Sequence, residues 1–236
     1  AGLMIDHVGF RSAFALLAAL PLLSWFCVRH VQEIPVPMPE DTPKQQRVWD
    51  LLDAPMFRRL LIVNWFLSSC WDVHTFMVPV IGHERGISAS AIGAVLGVFA
   101  LSAALIRLVL PSIAVRFPEW KILGVAMVMA GLLLGLYPFM HEAWTMGMLS
   151  ACLGLFLGVV QPMVMSTMHQ ITPPQRQGEA LGLRLMTINA SSVVMPMMFG
   201  ALGASLGVSG VFWFVALGVA SASRLAWQLK VRKPGG

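Results

Sequence analysis

The chain has 236 residues, of which 57% are hydrophobic and only 11% charged, with a formal net charge of +5. Soluble domains carry charge on about a quarter of their residues, so this composition excludes that class and points to a membrane protein. The 16 Lys and Arg residues are scattered between apolar runs, which excludes a basic nucleic-acid-binding patch and makes them topology signals.

The first residues, AGLMIDHVGFRSAF, have no basic n-region and no small-residue cleavage site, so they are not a signal peptide. They are expected to begin partway through a longer protein. Seven apolar runs follow, at 12–28, 60–81, 89–110, 122–140, 143–168, 180–202 and 211–227. Most have the roughly 20 residues that a helix needs to cross about 30 Å of hydrocarbon; the first and last are short. A lipid-exposed backbone must satisfy its own hydrogen bonds, and continuous apolar runs of this length are not barrel strands. The expected fold is therefore all-α and polytopic, with seven transmembrane helices.

The interval 34–55, IPVPMPEDTPKQQRVWDLLDAP, is the one long polar connection. Its prolines predict an extended lead-in and KQQRVWDLLD a short surface helix. The expected division is 1–33, carrying one helix, 34–55 as a cytoplasmic linker, and 56–236 as a six-helix domain. With the linker inside, Arg29, Lys44, Arg47, Arg58, Arg59, Arg107, Arg116, Lys121, Arg176, Arg184, Arg224, Lys230, Arg232 and Lys233 fall on or near the cytoplasmic side. Only Arg11 and Arg85 fall outside. This places the C-terminus in the cytoplasm of what reads as a bacterial inner-membrane protein. Arg116, Arg176 and Arg184 are the candidates for a cytoplasmic loop or gate.

Polar residues inside the runs sort onto stripes. Asn64, Ser68, Asp72 and Thr75 follow steps of four, four and three, so they share a helix face that cannot look at lipid. Arg107 continues a face made of Gly93, Gly97, Ala100 and Ala104. Gln161 continues one made of Ser150, Gly154 and Gly158, and Asn189 lies inside the next-to-last run. Counting helical rise, Asp72 is roughly 20 Å and Gln161 and Asn189 roughly 14 Å from the inner edge. An intramembrane carboxylate costs about 2.5 to 3.5 kcal/mol on insertion scales, which makes Asp72 the first candidate for proton coupling or substrate contact. Arg107, Gln161, Asn189, Asn64 and Trp71 complete the candidate set. Their structural alternatives are a snorkelling Arg, interhelical hydrogen bonds worth about 0.6 kcal/mol each, and aromatic packing. The Gly93/Gly97, Gly131/Gly135, Gly154/Gly158 and Gly178/Gly182 pairs are candidate close helix contacts. Runs 122–140 and 211–227 lack an interior charge and suit supporting positions.

Cys27, Cys70 and Cys152 lie far apart in apolar runs, which disfavours disulfides and zinc. No H-E-x-x-H or G-x-S-x-G is present, and Asp72 has no second deep carboxylate, so the expectation is a non-enzyme without metal or cofactor. A seven-helix receptor or sensor is the alternative, weakened by the absence of an intramembrane Lys to hold retinal and by the 22-residue linker after the first helix.

The residues GLMIDHVGFRSAF resemble the end of helix five and the G-x-R-x-x-F opening of helix six in the major facilitator superfamily, and the linker resembles its central loop. PPQRQGEALGL, followed by Asn189, Pro196 and Gly200, is similar to that family's helix ten to eleven pattern. The loop PSIAVRFPEWK departs from the family's G-x-L-x-D-R-x-G-R-R, with Pro111, Val115 and Pro118 where Gly, Asp and Gly would stand. The resemblance implies the C-terminal six-helix half of a carrier. Such a carrier performs proton-coupled secondary transport of a small solute by alternating access, with the lipid bilayer, protons and a missing N-terminal half as partners.

Overall fold

A computed structural model of the protein describes residues 10–29 and 47–230. Most of the proline-rich linker, residues 1–9 and the basic residues Lys44, Arg232 and Lys233 lie outside the described residues. The chain divides into two units, 1–43 and 44–236. In the first, helix α1 (Phe10–Val28) coincides with the first apolar run and contains Pro21. Phe14, Leu22 and Trp25 on it are exposed.

Among the described residues the second unit begins with a 3-10 helix, Val48–Asp53, within the stretch expected to form a short surface helix, whose residues 44–46 lie outside the described residues. The Asp50 carboxylate accepts the Arg47 backbone N–H at 2.8 Å, with Arg47 in an extended conformation at the cap. Helix α2 (Pro55–Glu84) has proline in its first position, where the missing N–H costs nothing. Helix α3 (Ala89–Arg116) is capped by Ser88, whose hydroxyl accepts from the Ala91 N–H at 3.4 Å. Helix α4 (Glu119–Leu136) runs into a 3-10 turn at Tyr137–Phe139. Helices α5 (Ala143–Gly158) and α6 (Val160–Ile171) make one stretch interrupted at Val159. After a 3-10 turn at Pro174–Arg176 comes α7 (Gln177–Trp227).

Taken as one rod, the 51 residues of α7 would reach about 77 Å, more than twice the hydrocarbon thickness. Gly207, at φ 73° and ψ 169°, breaks it into two limbs, 177–206 and 208–227. Only glycine takes that conformation without a Cβ penalty, so the break falls where the apolar runs separate. By length and composition Ala89–Arg116, Glu119–Phe139, Ala143–Ile171 and the broken Pro174–Trp227 stretch can cross a membrane. Helix α2 has the length as well; its lower hydropathy comes from its polar stripe and from Arg58 and Arg59.

The limbs of α7 serve different neighbours. The first meets α2 through Ser191 and Asp72, and the second packs on α4, where Gly124 meets the Trp227 ring and Gly131 meets Ala216 and Ala220, while its Gly218 also lies against Phe66 of α2. That order of contacts makes the second limb antiparallel to α4. Tyr137, the only tyrosine in the chain, is fully buried and stacks on Phe212 at 5.0 Å between ring centroids. Large apolar side chains such as Leu108, Leu132, Met197 and Leu217 are exposed, as a bundle solvated by lipid requires.

Two of the four expected glycine contacts are formed. A Cβ on Gly154 would stand 2.4 Å from the Phe99 carbonyl oxygen, and one on Gly158 would stand 2.6 Å from that of Ala103. These glycines let α5 lie directly on the backbone of α3. Gly131 is the third close position, against the Ala216 carbonyl at 3.3 Å. Gly93, Gly97, Gly178 and Gly182 meet nothing within 4 Å, so their pairs make no contact within the described residues. Gly154→Ala is therefore expected to destabilise the chain by about 1 to 3 kcal/mol, because backbone cannot yield as a side chain can. Gly97→Ala should be neutral or slightly stabilising. Thermal unfolding of the chain in mild detergent checks the pair, and equal behaviour of the two variants would contradict the packing.

Candidate substrate cavity

A cavity of about 250 Å³ opens between α2, α3, the α5–α6 stretch and the first limb of α7. Its polar lining is Ser68 and Asp72 from α2, Arg107 from α3, Gln161 from α6 and Ser192 from α7. Trp71, Leu157 and Ile188 are among its apolar walls. Helix α4 and the second limb of α7, expected as supporting elements, contribute nothing to it. Further concavities are apolar grooves; one, of about 650 Å³, is walled by Val128, Leu132, Trp213 and Leu217.

Local sequence explains how the polar groups are held. Pro162 has no N–H to bond the carbonyl four residues earlier, which is that of Gly158. That freed carbonyl accepts from Arg107 Nε at 3.2 Å. Gly158 thus brings α5 against α3 and also anchors the arginine that α3 presents. Gln161, beside this proline, accepts through Oε1 from Arg184 Nη2. The Asp72 carboxylate, 9% exposed, accepts from the Ser191 hydroxyl at 2.9 Å, joining α2 to α7. Among the described residues no carboxylate lies within ion-pair distance of Arg107 or Arg184. Asp72 and Arg107 line one cavity without touching.

A family model described as Major Facilitator Superfamily matches residues 1–168 and again residues 60–235. The chain belongs to the major facilitator superfamily. Curated relatives include Multidrug resistance protein MdtG of Salmonella dublin and of Salmonella typhimurium. Each is 26% identical over 223 residues, covering 91% of this chain. The chain spans 55% of the length of those relatives. Membership in the superfamily, with its long apolar helices, makes this an integral, multi-pass membrane protein and disfavours the receptor alternative.

Within this superfamily member, four expected positions gather at one cavity: Asp72, Trp71, Arg107 and Gln161. Asn64 lies two turns along α2 from Asp72, is 1% exposed, and has neither amide atom paired within the described residues. Two positions stand elsewhere than expected. Asn189 is exposed and lies off the cavity, because the first limb of α7 turns Ile188, Ser191 and Ser192 inward instead. Arg184 is no loop residue; it is 5% exposed inside α7, where its bond to Gln161 holds it. Ser191 and Ser192 were missed because serine is common in membrane helices and carries no signal of its own. Their spacing from Arg184, seven and eight residues along one helix, is the cue that would have found them.

Arg116 and Arg176 do lie at the end of the bundle where α3 finishes and α7 starts. Arg116 is exposed in the last turn of α3. Arg176 pairs with Glu179 at 2.7 Å and donates to the Arg47 carbonyl at 2.8 Å, tying the 3-10 segment before α2 to the turn before α7. At the opposite end Arg85 donates to the carbonyls of Pro138 and Met140, fastening α2 to the turn before α5.

Near that end a second polar group is sealed from the cavity. His74 is fully buried, stacks on Phe99 at 4.0 Å, and its Nε2 lies 2.8 Å from the Ser150 hydroxyl. Tyr137 OH lies 2.9 Å from the same hydroxyl. One serine therefore joins α2, α5 and the turn after α4. Ser150→Ala leaves the imidazole without that partner and should destabilise the chain by about 1 to 3 kcal/mol. The measurement is thermal unfolding, with exposed Ser205→Ala as the neutral control; a neutral Ser150→Ala would show that the network does not hold the helices.

Proposed function

We propose that the chain is the C-terminal part of a secondary carrier that moves a small solute by alternating access, with a proton as coupling ion. The observation that carries the reading is a buried carboxylate, Asp72, on the wall of a polar cavity inside an otherwise apolar bundle of this superfamily. A charged or polar group at such depth is expensive unless it faces protein or water, and it marks a pathway by default. MdtG is named a multidrug resistance protein, and the likeness to it supports transport of a small molecule here.

In this reading residues 1–33 carry the end of a first half, 34–55 are a cytoplasmic linker, and 56–236 are the second half. The open faces at Gly93/Gly97 and Gly178/Gly182 then receive the other half, and the cavity becomes one wall of a pathway shared by both. The end carrying Arg58, Arg116, Lys121, Arg176 and Arg224 faces the cytoplasm of a bacterial cell, following the excess of positive charge. Asp72 loses its proton where the cavity is open to water and keeps it while occluded, so that the bundle rocks only when protonated or loaded.

The test is Asp72→Asn in the complete carrier reconstituted in liposomes. It should still bind and exchange solute while losing accumulation driven by a pH gradient. Normal pH-driven accumulation by this variant contradicts the assignment of coupling to Asp72.

A further inference from the structure

Among the described residues Arg184, a guanidinium inside a membrane helix, makes one hydrogen bond, to a neutral amide, and its Nε has no partner. Because a guanidinium can only donate, the group of Gln161 that faces it must be the amide oxygen. The two amide N–H donors of Gln161 are then left for the cavity that Gln161 lines. Arg107 is held from the other side. Its Nε is committed to the Gly158 carbonyl, while its terminal nitrogens make no hydrogen bond among the described residues. The Ser68 and Ser192 hydroxyls add further donors to the wall.

Against these stands one carboxylate, Asp72, already accepting from Ser191. Counting the charged groups in and directly behind the wall gives Arg107 and Arg184 against Asp72, an excess of one positive charge with every group ionised. Leu67, Trp71, Leu157, Val160 and Ile188 make the remainder apolar. A volume of about 250 Å³ is small even for a ligand pocket.

From this arrangement we infer that the cavity selects small amphipathic organic anions, a carboxylate on an apolar body. Arg107 contacts the carboxylate. Arg184 acts as a positioning residue, fixing the Gln161 amide as a donor and supplying uncompensated positive charge behind it. The inference rests on the cavity being the solute site of the proposed carrier and names the class of solute. Asp72, on the same wall, is where a proton would accompany the anion.

The experiment uses the complete carrier in nanodiscs of zwitterionic lipid, read by tryptophan fluorescence, since Trp71 lines the cavity. The probes are benzoate, benzyl alcohol and benzyltrimethylammonium, alike in their apolar part and different in charge. Benzoate should bind saturably and at least tenfold tighter than either of the others. Arg184→Met should weaken benzoate at least tenfold and leave benzyl alcohol unchanged; a residue that merely packed would shift both together. Should Arg184→Met fail to fold, Arg107→Gln at an exposed position carries the same expectation. Equal binding of benzoate and the alcohol, preference for the ammonium, no saturable binding by any probe, or unaltered benzoate affinity in a folded variant overturns the inference. Saturable binding without anion preference leaves the carrier reading standing. Selective benzoate binding together with intact pH-driven accumulation in Asp72→Asn removes the coupling assignment and leaves the anion site.

Discussion

The arrangement depends on the cost of keeping polar groups in hydrocarbon. Arg184 and Asp72 each carry an insertion cost of about 2.5 to 3.5 kcal/mol, whereas an interhelical hydrogen bond in a membrane returns about 0.6 kcal/mol. One bond to Gln161 and one from Ser191 therefore do not offset what these two residues cost. The helices converge on a cavity because these groups have to face protein or water. The apolar faces of α4 and of the second limb of α7, which carry no such groups, are left to the lipid side.

Close packing and polar anchoring come from the same few residues. Gly158 admits the backbone of α3, and its carbonyl, released by Pro162, receives Arg107. Gly154 repeats the close approach one turn earlier, and Ser150, one turn earlier again, meets His74 and Tyr137. One face of α5 thus sets both the position of α3 and the separation of the open cavity from the sealed network above it. Arg85 and Arg176 fasten the two ends of the bundle through backbone carbonyls, which do not require a charged partner of matching length.

Much of this was legible in the sequence because the bilayer imposes length and hydropathy so strongly. The apolar runs, the breaks between them and the face shared by Ser68 and Asp72 follow from helical spacing alone. The superfamily resemblance rested on GLMIDHVGFRSAF, on the linker, and on PPQRQGEALGL with the Asn189, Pro196 and Gly200 spacing that follows. What failed was rotation about a helix axis. Asn189 and Ser192 differ by three residues, and only tertiary contacts decide which of them turns inward. Arg184 was grouped with the cytoplasmic loop and gating candidates because basic residues near a turn are normally topology signals, although it falls inside the run 180–202, and it lies two turns inside α7. Glycine pairs mark where close approach is permitted and say nothing of whether a neighbour is there, so the Gly154 and Gly93 pairs looked alike in sequence and differ in structure.

The central claim is that the Asp72 cavity is a solute pathway reached alternately from each side of the membrane. It is tested most directly by a single cysteine at Ser192, with Cys27, Cys70 and Cys152 replaced, in the complete carrier probed with a membrane-impermeant thiol reagent. The account predicts labelling from either face of the membrane, with transported solute slowing the reaction on both. Labelling from one face only, whatever solute is present, would contradict it.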